Sequence, residues 1–221
     1  MVDKRTRDID GEVKDMYSQW YNDIVAFHKI NSVIINSEPT WVGKDIRDLR
    51  KSLIDEEHKE FVRDYEKADL VGLADGLIDL AVVTIGTNVS FGLGYPSGWN
   101  YLVFSLTPRF RRVDRMTQWL GMQVESCLNV LGQEDGDCSI LSGKTFGVLL
   151  GIMPIASEMN LPMHRLWNEV HRANMDKAGG PKRADGKVLK PEGWKPPDIH
   201  GILEQWGWTD DRGTIPEEVI R

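Results

Sequence analysis

Five carboxylates sit where a helical chain does not ordinarily put acid. Projected at about 100° per residue, residues 49–62 form one helix. Glu56, Glu57 and Glu60 then share the arc of Leu49 and Leu53, bordered by Ile54 and Phe61. The opposite arc carries Lys51, Asp55, His58, Lys59 and Arg63, so the three glutamates take the side expected to be buried. The next stretch, residues 70–89, is apolar almost all round, the pattern of a buried helix, yet it holds Asp75 and Asp79 one turn apart on one face. An unpaired buried carboxylate costs several kcal/mol on the order-of-magnitude scale for ions leaving water. No Lys or Arg lies between Ala68 and Tyr101 to pair locally. A hard divalent cation resolves the conflict, because Mg²⁺ and Mn²⁺ take oxygen ligands.

The chain has 221 residues, with 41% hydrophobic and 28% charged, a composition that supports one sizeable core. Its formal net charge of −7 argues against nucleic acid as a partner. Cys127 and Cys138 do not make a disulfide framework and read as free thiols in a reducing compartment. The first twelve residues lack an apolar signal core, and no apolar run reads as a membrane span. The expectation is a cytoplasmic protein without a membrane partner.

Periodicity predicts helices over 13–31, 44–67, 70–91, 110–131, 144–159, 161–175 and 199–206, with Pro154 set to kink or split the fifth. Residues 1–12 read as frayed, 32–43 and 132–143 as loops, and 95–108 as a loop with a short strand near 101–106. Glycines and prolines keep 178–198 irregular, and the tail beyond Gly207 reads as peripheral. The fold class expected is all-α, a helical bundle in a single domain spanning 1–221, with 95–160 as a helical elaboration and 178–221 as an irregular C-terminal segment.

Glu57 and Glu60 at i, i+3, and Glu56 with Glu60 and Asp75 with Asp79 at i, i+4, are spacings that aim oxygens from a helix at one spot. Divalent ions held there clamp a polyphosphate and lower the pKa of bound water for in-line attack on phosphorus. The segment Leu53-Ile54-Asp55-Glu56-Glu57-His58-Lys59-Glu60-Phe61 resembles the EExxE motif of the all-α nucleoside triphosphate pyrophosphohydrolases. That superfamily includes MazG, phosphoribosyl-ATP pyrophosphohydrolase and the dimeric dUTPases. Leu73-Ala74-Asp75-Gly76-Leu77-Ile78-Asp79-Leu80 resembles its second acidic motif. His171 to Lys177 and Asp185 to Lys190 resemble the C-terminal part of its phage-type branch. The likeness covers about 16–94 and 162–199, and departs at Gly76, where the family's ExxD motif has glutamate.

The resemblance implies cleavage between the α- and β-phosphates of a (d)NTP to a monophosphate and pyrophosphate, with two or three Mg²⁺ per site and Mn²⁺ as a substitute. It implies Glu57, Glu60 and Asp79 as metal ligands, Asp75 in place of the missing glutamate, and Glu56 as a second ligand or the base that orients water, with Glu56 and Glu57 as the catalytic pair. Phage-type relatives acting on dGTP place purine deoxynucleotides first among substrates. The resemblance also implies a homo-oligomer, a dimer or tetramer, and the host cytoplasm if the chain is phage-encoded.

For substrate binding, Lys177 would neutralise phosphate and Asn174 would hydrogen-bond phosphate or sugar. Arg172, Lys187 and Lys190 are further candidates, each taken alone an ordinary surface charge. Phe27, His28 and Trp41 would line a base pocket, against bland readings of core for Phe27, simple packing for Trp41 and an exposed residue for His28. His58 projects to the outer arc and is not counted as a ligand. The arginines from 109 to 115 read as a solvated face, and aromatics near Trp99, Tyr101 and Phe104 are compatible with a subunit contact. A rival function is a non-catalytic helical interaction protein with an acidic ion- or partner-binding face.

Overall fold

A computed structural model describes residues 4–94 and 112–208. Among these are seven helices and no strand: α1 (Lys4–Ile30), α2 (Lys44–Glu66), α3 (Leu70–Phe91), α4 (Val113–Leu131), α5 (Cys138–Glu158), α6 (Met163–Met175) and α7 (Ile199–Trp206). The all-α expectation holds. The strand near 101–106, the aromatics at 99–104, Arg109, Arg111 and the tail beyond Trp208 lie outside the described residues. Of the remaining arginines in that run, Arg112 and Arg115 are exposed, Arg112 pairing with Asp114 at 3.1 Å.

The hairpins α2–α3 and α4–α5 pack side by side, α2 against α4 and α3 against α5, while α1, α6 and α7 also pack on α3. All join one hydrophobic core, so the two described helices of the supposed elaboration are built into it. Contact on so many sides explains why α3 is apolar nearly all round. Its two threonine hydroxyls are satisfied within the helix, Thr84 donating to the Leu80 carbonyl at 2.7 Å and Thr87 to Val83 at 2.9 Å. Asp69 caps its start by accepting from Gly72 N at 3.0 Å, and Gly92, at φ 67°, ends it in the left-handed conformation.

Glycines on α3 set the depth of the α2–α3 contact. A Cβ on Gly72 would lie 2.9 Å from Asp64, one on Gly76 3.1 Å from the Phe61 backbone, and one on Gly86 2.9 Å from Arg50 Nη1. These pairs fix a single antiparallel register, and the same register sets Asp79 opposite Glu57. The third anchor of the fold is aromatic: Trp20 of α1 stacks on Trp167 of α6 at 4.3 Å and 9°, and Trp167 Nε1 donates to Asp23 at 2.9 Å.

Four expectations are corrected. Helix α1 begins well before residue 13, at Lys4. The spacing of Met16, Trp20, Ile24, Phe27 and Ile30 suggests its apolar face, but the stripe actually buried is Tyr17, Trp20, Ile24 and His28, rotated so that Ile30 is exposed. Helix α5 begins at Cys138, capped by Asp137, and continues through Pro154. Finally, α3 and α5 are each long and apolar enough to cross a membrane, contrary to the reading that no run qualifies; 72% and 56% of their apolar windows are buried inside the fold.

If Gly76 sets the approach of α2 to α3, Gly76→Ala should cost about 1–3 kcal/mol, the usual range for overpacking. Gly76→Glu, with a longer and charged side chain at the same contact, should cost more. Urea denaturation followed by circular dichroism checks the order.

Candidate functional site

Helices α2 and α3 place Glu57, Glu60, Asp75 and Asp79 along one cleft of about 190 Å³. Its other wall comes from the end of α6 and the chain after it: Asn174, Lys177, Lys187, Lys190 and Trp194. The cations missing from the local sequence therefore arrive from a distant part of the chain. Lys177 Nζ donates to Asn174 Oδ1 at 2.6 Å and lies 5.4 Å from the Trp194 ring centroid; Lys190 lies 4.4 Å from it. Trp194 is fixed by donating Nε1 to the Ala173 carbonyl at 2.6 Å.

Burial raises Glu57, Asp75 and Asp79 well above the usual carboxylate range, and in each case a neighbouring acid adds to the effect. For Glu57 that neighbour is Asp79, for Asp79 it is Asp75, and for Asp75 it is Glu57. Such pairs titrate together. The lysines act against them but do not cancel the rise. Asp75 Oδ1 is buried without a hydrogen-bond partner. An all-oxygen donor set holding crowded negative charge and an orphan oxygen fits a hard divalent cation. Among the described residues, no three His, Cys, Asp or Glu side chains converge tightly enough as they stand to hold one. Lys187 Nζ lies 3.5 Å from Glu57, inside the ground such an ion would take.

Glu60 is exposed at the rim of the cleft, not on the buried side. Glu56 lies outside it. Ser52 at 2.7 Å, Arg183 at 2.8 and 3.3 Å and Lys187 at 2.7 Å share its two oxygens, and Arg183 first among them holds its carboxyl down to about 2. Glu56 thus anchors the C-terminal chain to α2 instead of facing the acids. That chain folds back on itself, Lys182 bridging to Val188, and Lys182 Nζ donates to the Asn31 carbonyl at 2.6 Å.

A second cavity of about 110 Å³ shares Glu57, Asp79, Asn174, Lys177 and Lys187 with the cleft and continues from it. Its walls are largely apolar and include Ile24 and Phe27 of α1, Leu53 of α2, Val82 of α3 and Val188. Phe27 and His28, named for a base pocket, both line this chamber. His28 is 2% exposed, so its bland reading as an exposed residue fails.

Trp41 is not in the chamber. It packs edge-on against Phe91, its indole N–H donates to the Glu134 carbonyl at 2.9 Å, and it lies against Gly136. Arg172 is also elsewhere, paired with Glu169 and Asp176 at 2.7 Å each on an exposed face. His58 is away from the acids, as expected, but faces Gly121 of α4 and not solvent.

The sequence reading missed Arg50, Arg183 and Trp194. Arg50 was findable: it lies seven residues before Glu57, two turns along the same face. Nothing local marks Arg183 or Trp194, which matter only through contacts with distant residues. Comparison with family models finds no match, and comparison with curated proteins finds none either.

Burial, with the charge of Arg50 second, lowers His28 to about 3. Above pH 6.5 it is neutral both folded and unfolded; between 6.5 and about 3 only the unfolded chain takes up the proton, so its contribution to stability is lost progressively across that window. Wild type should therefore lose urea resistance more steeply than His28→Asn between pH 6.5 and 4.5. Equal slopes would remove His28 as the cause.

Proposed function

We propose that this chain is a divalent-metal-dependent nucleoside triphosphate pyrophosphohydrolase of the all-α, MazG-like type. It acts in the cytoplasm on a (d)NTP, with purine deoxynucleotides such as dGTP first. The observation that carries the reading is the opposition of charges in one cleft, with four carboxylates on α2 and α3 facing three lysines. An apolar chamber opens directly from it. Triphosphate, metal and base each have a matching surface, in the order in which a nucleotide presents them.

Glu57, Glu60, Asp75 and Asp79 would hold the ions, two or three Mg²⁺ or Mn²⁺. When bound, these supply charge neutralisation at phosphorus and a more acidic water. Lys177, Lys187 and Lys190 bind phosphate oxygens, and Asn174 orients Lys177 and donates to phosphate or sugar. Trp194 excludes water from the lysine wall. The chamber holds the base. Attack forms a bond from water oxygen to the α-phosphorus and breaks the bond to the bridging oxygen, so pyrophosphate leaves. Glu57 stands where cleft and chamber meet, and its carboxylate is placed to take the proton of the attacking water. Glu56 serves by positioning Lys187 and the C-terminal chain.

A homo-oligomer is part of the proposal, although α2, α3, α4 and α5 already complete a four-helix unit within one chain. The rival, an acidic docking face, fits less well. A docking face presents acid to solvent, whereas here Asp75 and Asp79 lie in a cleft lined opposite by lysines.

Incubation with dNTPs and Mg²⁺ should release dNMP and pyrophosphate; NDP with orthophosphate would mean a different bond is cut. Glu57→Gln and Asp79→Asn should each lower turnover at least about a hundredfold, the low end of the range for removing an acid–base group. The metal-free fold should be no less stable, because a buried unpaired charge has been removed. Mn²⁺ should raise the melting temperature of wild type and not of Asp79→Asn.

A further inference from the structure

The chamber behind the cleft ends on a positive charge that no acid answers. Arg50 lines it and is 5% exposed. Its hydrogen bond among the described residues runs from Nη2 to His28 Nε2, at 3.3 Å. Its Nε is buried without a partner, and no carboxylate among the described residues pairs with it. The state of His28 follows from its other contact. Nδ1 lies 3.0 Å from the Ile34 carbonyl, which can only accept, so Nδ1 carries the hydrogen and Nε2 the lone pair. His28 therefore satisfies one of the five guanidinium N–H groups and offers no charge.

A buried guanidinium in this condition is costly, and an apolar side chain of similar length would pack there at lower cost. Space is nevertheless kept for it. A Cβ on Gly86 would stand 2.9 Å from Arg50 Nη1 and 3.3 Å from His28 Nε2. Arg50 lies two turns before Glu57, about 10 Å along α2 at the usual rise, roughly the span from a reacting phosphorus to the far edge of its base. Between them the walls are apolar, suited to a flat ring.

We infer that Arg50 is the base-reading residue of this site and selects a 6-oxopurine, an inference that rests on the pyrophosphohydrolase reading above. The guanidinium fork presents two parallel donors, and O6 and N7 of a 6-oxopurine present two adjacent acceptors to match. Adenine places an amino donor where O6 would be, so donor meets donor. Uracil and thymine set a ring N–H beside the carbonyl. Cytosine does present two adjacent acceptors, O2 and N3, but on a single ring close to the sugar, short of a fork two turns of α2 from Glu57. His28 positions the fork by accepting from Nη2, and Gly86 leaves it room.

The test is calorimetric titration of dGMP, dIMP, dAMP and dCMP onto the full chain, in wild type, Arg50→Met, Arg50→Lys and Gly86→Ala. Hydrolysis of the matching triphosphates with Mg²⁺ is measured in parallel. Wild type should bind dGMP and dIMP about ten- to a hundredfold more tightly than dAMP or dCMP, the discrimination a bidentate pair gives. Arg50→Met should bring dGMP and dIMP down to the dAMP level, leave dAMP unchanged and melt no lower than wild type. Arg50→Lys should recover only part of the preference. Gly86→Ala, which displaces the tip but keeps the charge, should weaken it too. Wild type favouring dAMP or dCMP, wild type binding none of the four, or Arg50→Met keeping the preference would each overturn the inference. Should wild type cleave no triphosphate yet keep the Arg50-dependent preference in binding, the hydrolase reading fails and Arg50 stands. Cleavage with a preference that ignores Arg50 is the reverse.

Discussion

The close antiparallel contact between α2 and α3 is the constraint on which the rest depends. Gly72, Gly76 and Gly86 bring the two helices within a distance that leaves no room for a Cβ without displacement. That approach fixes the register. One pairing sets Glu57 against Asp79 and crowds their charges; another, two turns away, sets Arg50 against Gly86 and gives the guanidinium its space. Acid cleft and basic chamber end are thus two levels of one hairpin. The glycine at position 76 has its physical reason here. A glutamate at position 76 would meet the Phe61 backbone, and Asp75, one residue earlier, faces the cleft instead.

A hairpin with this much buried acid is held together by what surrounds it. Helix α3 is packed by α1, α2, α5, α6 and α7, and its two threonine hydroxyls are satisfied within the helix, so the core supports carboxylates that weaken it. The chain after α6 supplies the opposite charge. It is tied down by Trp194 to Ala173, Lys182 to Asn31, and Arg183 and Lys187 to Glu56. Glu56 is the member of the acidic motif given over to this task. A loop rich in Gly and Pro can face a cleft without regular structure because a few charge-assisted contacts hold it in place.

Much of this was legible in the residue order, for identifiable reasons. The bounds of α3 and α7 followed from a sharp switch between periodic and turn-forming residues. Helical spacing put Asp75 and Asp79 on one face of α3 and Glu57 on the inner face of α2, whereas Phe27 was named for a pocket through the family resemblance and by spacing alone read as core. Helix α5 was misjudged at its start because Ser, Gly and Lys near residue 140 look like a loop, whereas packing against α4 and the Asp137 cap make them helical. His28 was misjudged because a lone polar residue gives no sign of the carbonyl and guanidinium that bury it. Trp41 and Arg172 have the right chemistry, but their contacts hold them elsewhere.

What the sequence determined by itself was the set of helices and the conflict between acid and apolar surroundings on α3, because these depend on residues within a turn or two of one another. What only the tertiary structure decided was which charges answer which. Lys177, Lys187 and Lys190 face the acids from the far end of the chain, Arg183 takes Glu56 out of the cleft, and Arg50 is left without a carboxylate among the described residues. Electrostatic pairing acts through space and depends on burial, and neither distance nor burial between remote segments is encoded in local order.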